Sequence, residues 1–315
     1  MKAYAFGIDI GGTTVKIGCF QSDGTLQDKW EIETRRDDDG AKVLPDIADT
    51  VNGYLSEHGI SIEEVEGIGL GVPGPVLPDG TVNRCVNLGW GVIAAGEELS
   101  GLLSGVPVLV GNDANVAALG EQWRGGGKGF ENVIMVTLGT GVGGGIILGG
   151  KILAGSHGAV GEIGHILVNR RETETCGCGK RGCLEQYVSA TGVARKAREV
   201  LAEKGTASSL SALGDAVTAK DVYDAAKQGD AAALEIAEWA GRLLGEAISY
   251  LTLTVDPDVI VVGGGVSKAG QILIDAVSKY YQPAAFHATR ETPFKLAVLG
   301  NDAGMYGAVR MVLGR

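Results

Sequence analysis

Three observations predict an α/β protein of two domains built by duplication. Apolar strand-like runs alternate with helical stretches along the chain, the mark of the α/β class. The 315 residues, against a typical domain of about 150, are enough for two. A strand, Gly/Thr turn, strand pattern also occurs twice, at Gly7-Ile-Asp-Ile-Gly-Gly-Thr-Thr-Val-Lys-Ile-Gly and at Val136-Thr-Leu-Gly-Thr-Gly-Val-Gly-Gly-Gly-Ile-Ile. Two such units far apart imply two similar halves with a ligand cleft between them.

Tyr4 to Ile10 is apolar and ends in Asp9-Ile10-Gly11-Gly12-Thr13-Thr14. Val15 to Phe20 and Trp30 to Thr34 complete a predicted antiparallel meander. Residues 41–58 read as helix. Val65 to Val72 reads as a buried strand closed by Pro73-Gly74-Pro75. Val106 to Val110 is another strand, feeding a helix from Asp113 to Trp123. Val133 to Gly150 carries no charge over 18 residues, which raises the membrane question. Its seven glycines and its central turn favour two buried strands, Val133 to Leu138 and Val142 to Leu148. Past residue 190 the chain turns helical. From Asp230 to Thr254, Ile236, Ala240, Leu243, Leu244, Ala247, Ile248 and Leu251 make one helical stripe, with Asp230 as cap and Asp256-Pro257 as stop. Val259 to Val262 is a strand, Gly263-Gly264-Gly265 a turn, and Ser267 the expected cap of the next helix.

Composition narrows the function. Lys and Arg number 27 against 38 Asp and Glu, a net charge of −11. Such a chain repels phosphate backbones, so general nucleic-acid binding is disfavoured, and no membrane partner is expected. No signal-peptide pattern opens the sequence. Glycine stands at 52 residues, well above the average of about 7%. Cys176, Cys178 and Cys183 cluster, while Cys19 and Cys85 are isolated in apolar surroundings. That distribution suits a reduced, cytoplasmic setting and a metal better than a disulfide framework.

Glycines let backbone N–H groups approach an anion, and Thr hydroxyls add donors. Gly11-Gly12-Thr13 with Lys16, Gly139-Thr140-Gly141 and Gly264-Gly265 each follow an apolar strand. One such turn is equally a plain hairpin; three favour nucleotide binding. Asn112-Asp113 ends a strand and opens a helix. There an Asp is either an ordinary cap or a general base at the carboxyl end of a strand, where α/β folds place ligands. His165, Cys176, Cys178 and Cys183 make a Cys₃His set suited to one structural zinc. Buried free thiols or a redox pair are the alternatives. A closed metal site would position Glu162 and Glu185.

Together these motifs resemble the ROK family of bacterial sugar kinases, within the actin-like/hexokinase ATPase superfamily. The residues concerned are Asp9-x-Gly11-Gly12-Thr13-x-x-Lys16, Gly71-Val-Pro73-Gly74, Asn112-Asp113-Ala114-Asn115-x-Ala117-Ala118-x-Gly120-Glu121, Gly139-Thr140-Gly141-x-Gly143-Gly144-Gly145, Gly161-Glu162-x-Gly164-His165 and Cys176-Gly-Cys178-Gly-x-x-Gly182-Cys183-x-Glu185. The resemblance implies an actin-like (ribonuclease H-like) duplicated fold closing over a sugar, with ATP and Mg²⁺. The expected division is a small domain over 1–112, joined by a C-terminal helix at about 302–315, and a larger one over 113–301 with the zinc loop. The general base falls on Asp113. Sugar ligands fall on Gly74, Asn87, Asn112, Asp113, Glu162, His165 and Glu185. ATP falls on Asp9, Gly11, Gly12, Thr13, Lys16, Gly139, Thr140, Gly141, Gly264 and Gly265, with Asp9 by the metal. The expected activity is ATP-dependent phosphorylation of glucose at its 6-hydroxyl by a homodimer or homotetramer. The alternatives are a kinase for fructose, mannose, N-acetylglucosamine or N-acetylmannosamine, polyphosphate as donor, or a sugar-sensing ROK repressor. The last is disfavoured because the first phosphate motif begins at Gly7, leaving no room for a helix-turn-helix.

Overall fold

The structure, a computed structural model, describes residues 2–204 and 208–314. β1 (Tyr4–Ile10), β2 (Thr14–Gln21) and β3 (Leu26–Glu33) form the predicted meander, with Asp9 paired to Lys16. A distorted turn, α1 (Asp37–Gly40), precedes α2 (Val43–His58). That helix buries Val43, Leu44, Ile47, Ala48, Val51 and Leu55, and it stops at left-handed Gly59. β4 (Val65–Val72) runs parallel to β1 and is buried at nearly every position, as expected inside a covered parallel sheet. A hairpin of β5 (Val82–Cys85) and β6 (Trp90–Ile93) and a short helix, α3 (Ala95–Leu102), were not foreseen. β7 (Val108–Asn112) pairs parallel to β4. It starts after Pro107, which has no N–H for the ladder, and runs on to Asn112, which pairs with Val72. α4 (Asp113–Arg124) follows with no loop.

β8 (Val133–Leu138) and β9 (Val142–Leu148) account for the uncharged stretch, and the short β10 (Lys151–Ile152) follows it. Among the described residues, no helix is long and apolar enough to cross a membrane. A single turn, α5 (Glu185–Val188), leads into α6 (Ala190–Lys204) and α7 (Ala219–Lys227). α8 (Ala231–Val255) is the striped helix, capped by Asp230, whose side chain accepts from Ala232 N and Ala233 N. It buries Ile236, Ala240, Leu244, Ala247 and Ile248. β11 (Val259–Gly263) is followed by a 3₁₀ turn over Gly265–Ala269. Ser267 therefore does not cap a helix: its hydroxyl donates to Gly264 O at 2.8 Å, and α9 (Gln271–Ala284) begins after Gly270. β12 (Phe294–Leu296) and α10 (Ala303–Leu313) complete the chain. The last residue of the expected terminal helix, Arg315, lies outside the described residues.

The two sheets repeat one plan, β3–β2–β1–β4–β7 and β10–β9–β8–β11–β12. In the first, β1 pairs antiparallel with β2 and parallel with β4; in the second, β11 runs parallel to both β8 and β12. The chain divides into two compact units: residues 1–129, 145–161 and 299–315, and residues 130–144 with 162–298. The dividing point differs from the expected 112/113, because α4 belongs with the first unit. There it packs on α10 across glycines. A Cβ at Gly307 would stand 1.7 Å from Val116 O and one at Gly120 2.1 Å from Ala303 O; α10 also meets β4, where a Cβ at Gly69 would stand 1.8 Å from Ala308 O. Fully buried Glu121, near the end of α4, accepts from Gly126 N at 2.8 Å and from Leu299 N at 2.7 Å.

Candidate active site

In the first unit, parallel pairing brings the ends of β1, β4 and β7 to one edge. Asp9 stands opposite Gly71, and Val72 opposite Asn112. That edge carries the Gly11–Thr13 turn, Pro73-Gly74 and Asn112-Asp113. Asn112, and not Asp113, is the cap of α4, its Oδ1 accepting from Asn115 N at 3.1 Å. Its Nδ2 donates to Gly74 O and to Asp113 Oδ1, both at 3.0 Å. Asp113 Oδ1 also accepts from Ala114 N at 2.7 Å. These bonds fix the half-buried Asp113 carboxylate. The Cys85 thiol donates to Pro73 O at 2.5 Å, tying the exposed 3₁₀ turn that carries Asn87 to the Gly74 loop.

Asp9 keeps some exposed surface, yet protein crowds its carboxylate. A Cβ at Gly304 would come 2.4 Å from it. Burial first, then the charge of Asp113, raises its pKa to about 6, against a smaller opposing pull from Lys16. Lys16 Nζ donates to Asn301 O at 3.1 Å. Gly11 N closes the turn on Thr14 O at 2.9 Å, and nothing lies within 4 Å of the Cβ position of Gly12. The turn therefore leaves open space beside Gly12.

In the second unit, β8 and β11 are neighbours, with Gly263 opposite Thr137. The Gly139–Gly141 and Gly264–Gly265 turns therefore emerge side by side. Beside the latter is a mostly apolar cavity of about 370 Å³ whose lining includes Ala190, Thr218, Tyr223, Gly265, Val266 and Lys268. The sequence offered no motif for its α7 wall, because Thr218 and Tyr223 sit in an ordinary amphipathic helix.

His165, Cys176, Cys178 and Cys183 offer four ligand atoms that all lie within 4.8 Å of one another. Cys176 Sγ is 3.7 Å from His165 Nδ1, and Cys178 Sγ is 3.6 Å from Cys183 Sγ. A tetrahedron with metal–sulfur bonds of about 2.3 Å has edges of about 3.8 Å. The four residues therefore fit a tetrahedral metal ion of the zinc type in both donor set and size. His165 turns Nδ1 to the cluster and leaves Nε2 3.6 Å from Glu162 Oε2. Arg195, absent from the motifs, braces the loop from α6 through Glu172 and Glu174, at 3.2 and 2.6 Å.

The profile of the ROK family matches residues 5–315. The chain belongs to the ROK family. It is 44% identical to a glucokinase of Halalkalibacterium halodurans over 96% of this chain and 92% of that one. It is 34% identical to a glucokinase of Thermotoga maritima over 100% and 98%. The ROK glucokinase of Streptomyces griseus, solved with glucose and AMPPNP, superposes with a TM-score of 0.74 at 31% identity, covering 98% of each chain. Membership accounts for the repeated sheet plan as the duplicated actin-like fold. Within the first unit the structure gathers Asp9, Gly74, Asn112 and Asp113; within the second it gathers Glu162, His165 and the three cysteines, and places Glu185 against Gly141.

Proposed function

We propose that this ROK chain is a glucokinase, transferring the γ-phosphoryl group of ATP to the 6-hydroxyl of glucose. The Asn112-Asp113 pair carries the reading: a carboxylate fixed at a strand end, beside Asp9 and an open glycine turn. Asp113 orients the hydroxyl and takes its proton as the oxygen–phosphorus bond forms and the bond to the β-phosphate oxygen breaks. Asn112, Gly74, Asn87, Glu162, His165 and Glu185 bind the sugar hydroxyls. Gly11, Gly12, Thr13, Lys16, Gly139, Thr140 and Gly141 receive the phosphates, and the adenosine takes the cavity beside Gly264 and Gly265. Asp9 would hold Mg²⁺ with the nucleotide, which would supply charge neutralisation on the phosphates.

The Cys₃His set holds one structural zinc, with His165 Nδ1 as ligand and Nε2 left for the sugar. The kinase works in the cytoplasm as a homodimer or homotetramer, the assembly being measurable by light scattering. An ADP-release assay over glucose, fructose, mannose and the N-acetylhexosamines tests the central assignment. Glucose should give the highest kcat/KM. A higher value for N-acetylmannosamine or fructose overturns the choice of sugar. Polyphosphate matching ATP overturns the choice of donor.

A further inference from the structure

The residues after the last cysteine reach back to the second glycine turn. Glu185 opens α5, two positions beyond Cys183. Its Oε2 accepts from Val142 N at 3.0 Å. A Cβ at Gly141 would stand 2.2 Å from that oxygen, so a larger residue there would have to push the Glu185 carboxylate aside. Ala190 N donates to Gly139 O at 2.8 Å, and the Thr191 hydroxyl donates to Thr140 O at 3.2 Å. Three residues of 185–191 thus grip three of the four residues of 139–142.

The gripping segment is anchored in the metal loop. Leu184 N donates to Ile166 O at 2.8 Å. Gln186 Oε1 accepts from Gly182 N at 2.9 Å and Cys183 N at 3.1 Å. Arg195 holds Gln186 O at 3.1 Å. A glycine turn is costly to order, and fixing it before a ligand arrives removes that cost from binding.

We propose that Glu185 and Thr191 are positioning residues which shape the Gly139–Gly141 turn for phosphate from the metal loop, so that nucleotide affinity depends on the metal. This rests on the reading of that turn as a phosphate site. It gives Glu185 a task separate from touching sugar, and gives Thr191 a first one.

Binding of Mg-AMPPNP without sugar, measured by calorimetry, tests the link. With metal bound, Thr191→Val should weaken nucleotide by about threefold and leave glucose affinity within about twofold. Glu185→Ala should weaken nucleotide by about tenfold, while Glu185→Gln, which keeps an acceptor for Val142 N, should stay within about threefold of wild type. Hydrogen exchange at the Val142 amide should quicken in Glu185→Ala and not in Glu185→Gln. Chelating the metal from wild type should cost about tenfold in nucleotide affinity, but less than about twofold more in Glu185→Ala, whose link is already cut. Wild-type nucleotide affinity in both Thr191→Val and Glu185→Ala overturns the inference alone. A metal-loaded wild type that binds no Mg-AMPPNP overturns the underlying reading. The variant comparisons are made with metal bound, so they stand whether or not the stripped protein stays folded, and unchanged nucleotide affinity in chelated wild type overturns the dependence on metal.

Discussion

At the scale of single residues, Asp113 and Asp9 make opposite demands. Asn112 caps α4, so Asp113→Asn removes no cap, and the new amide oxygen can still accept from Ala114 N and Asn112 Nδ2. Stability should hardly change, while kcat should fall by roughly 10²- to 10⁴-fold with glucose affinity within about tenfold. A variant keeping more than about a tenth of wild-type kcat counts against Asp113 as base. For Asp9, the rise from 3.8 to about 6 means the folded protein holds that proton more tightly than the unfolded chain. Its contribution to stability is present below 3.8, declines as pH rises through about 6, and stays lost above. Asp9→Asn should therefore raise the metal-free thermal midpoint at about pH 7.5 while abolishing turnover, the gain fading towards pH 4. No gain at neutral pH would show that the carboxylate is not strained. Thr13→Val and Thr140→Val should raise KM for ATP more than KM for glucose; equal effects would argue against phosphate contact. Asp113 and His165 were legible because they sit in contiguous motifs. Tyr223 was not, because its cavity forms only when α7 meets the turn after β11.

At the scale of elements, the loop that carries the Cys₃His set should be sensitive to a single change. Cys178 is exposed while Cys176 and Cys183 are buried, yet all four ligands are needed for a closed site. Cys178→Ala should lower metal content, thermal midpoint and glucose affinity together, because His165 and Glu185 lie on the same loop. Elemental analysis showing no metal in wild type purified without chelator would remove the claim. Two elements were readable: β4 by its mostly apolar run closed by Pro73-Gly74-Pro75, α8 by its stripe and by Asp230. The β5–β6 hairpin was not, since Val82–Cys85 and Trp90–Ile93 are four residues each, too short to show alternation. Ser267 misled because a residue after three glycines looks like a cap, whereas a 3₁₀ turn intervenes and its hydroxyl donates instead of accepting.

At the scale of the whole molecule, the duplication was visible in two glycine turns, but the division of the chain was not. What assigns α4 to the first unit is its seam with α10, formed by residues almost two hundred positions apart, and no local pattern announces it. The abundance of glycine also has a second cause beyond the turns: Gly69 and Gly307 let helix and sheet backbones touch. The seam has a consequence for the order of manufacture. A ribosome completes residues 130–298 before it makes 299–315, which the first unit requires. The usual sequence, in which the N-terminal domain folds first during synthesis, should be inverted here. Nascent chains arrested with residue 298 outside the tunnel should show a protease-resistant second unit and a labile first one; resistance of both would mean that the first sheet stands without its last helix. Until that helix arrives, the newborn enzyme carries an uncovered apolar face on β1 and β4, and chaperone demand should last until residues 299–315 have emerged.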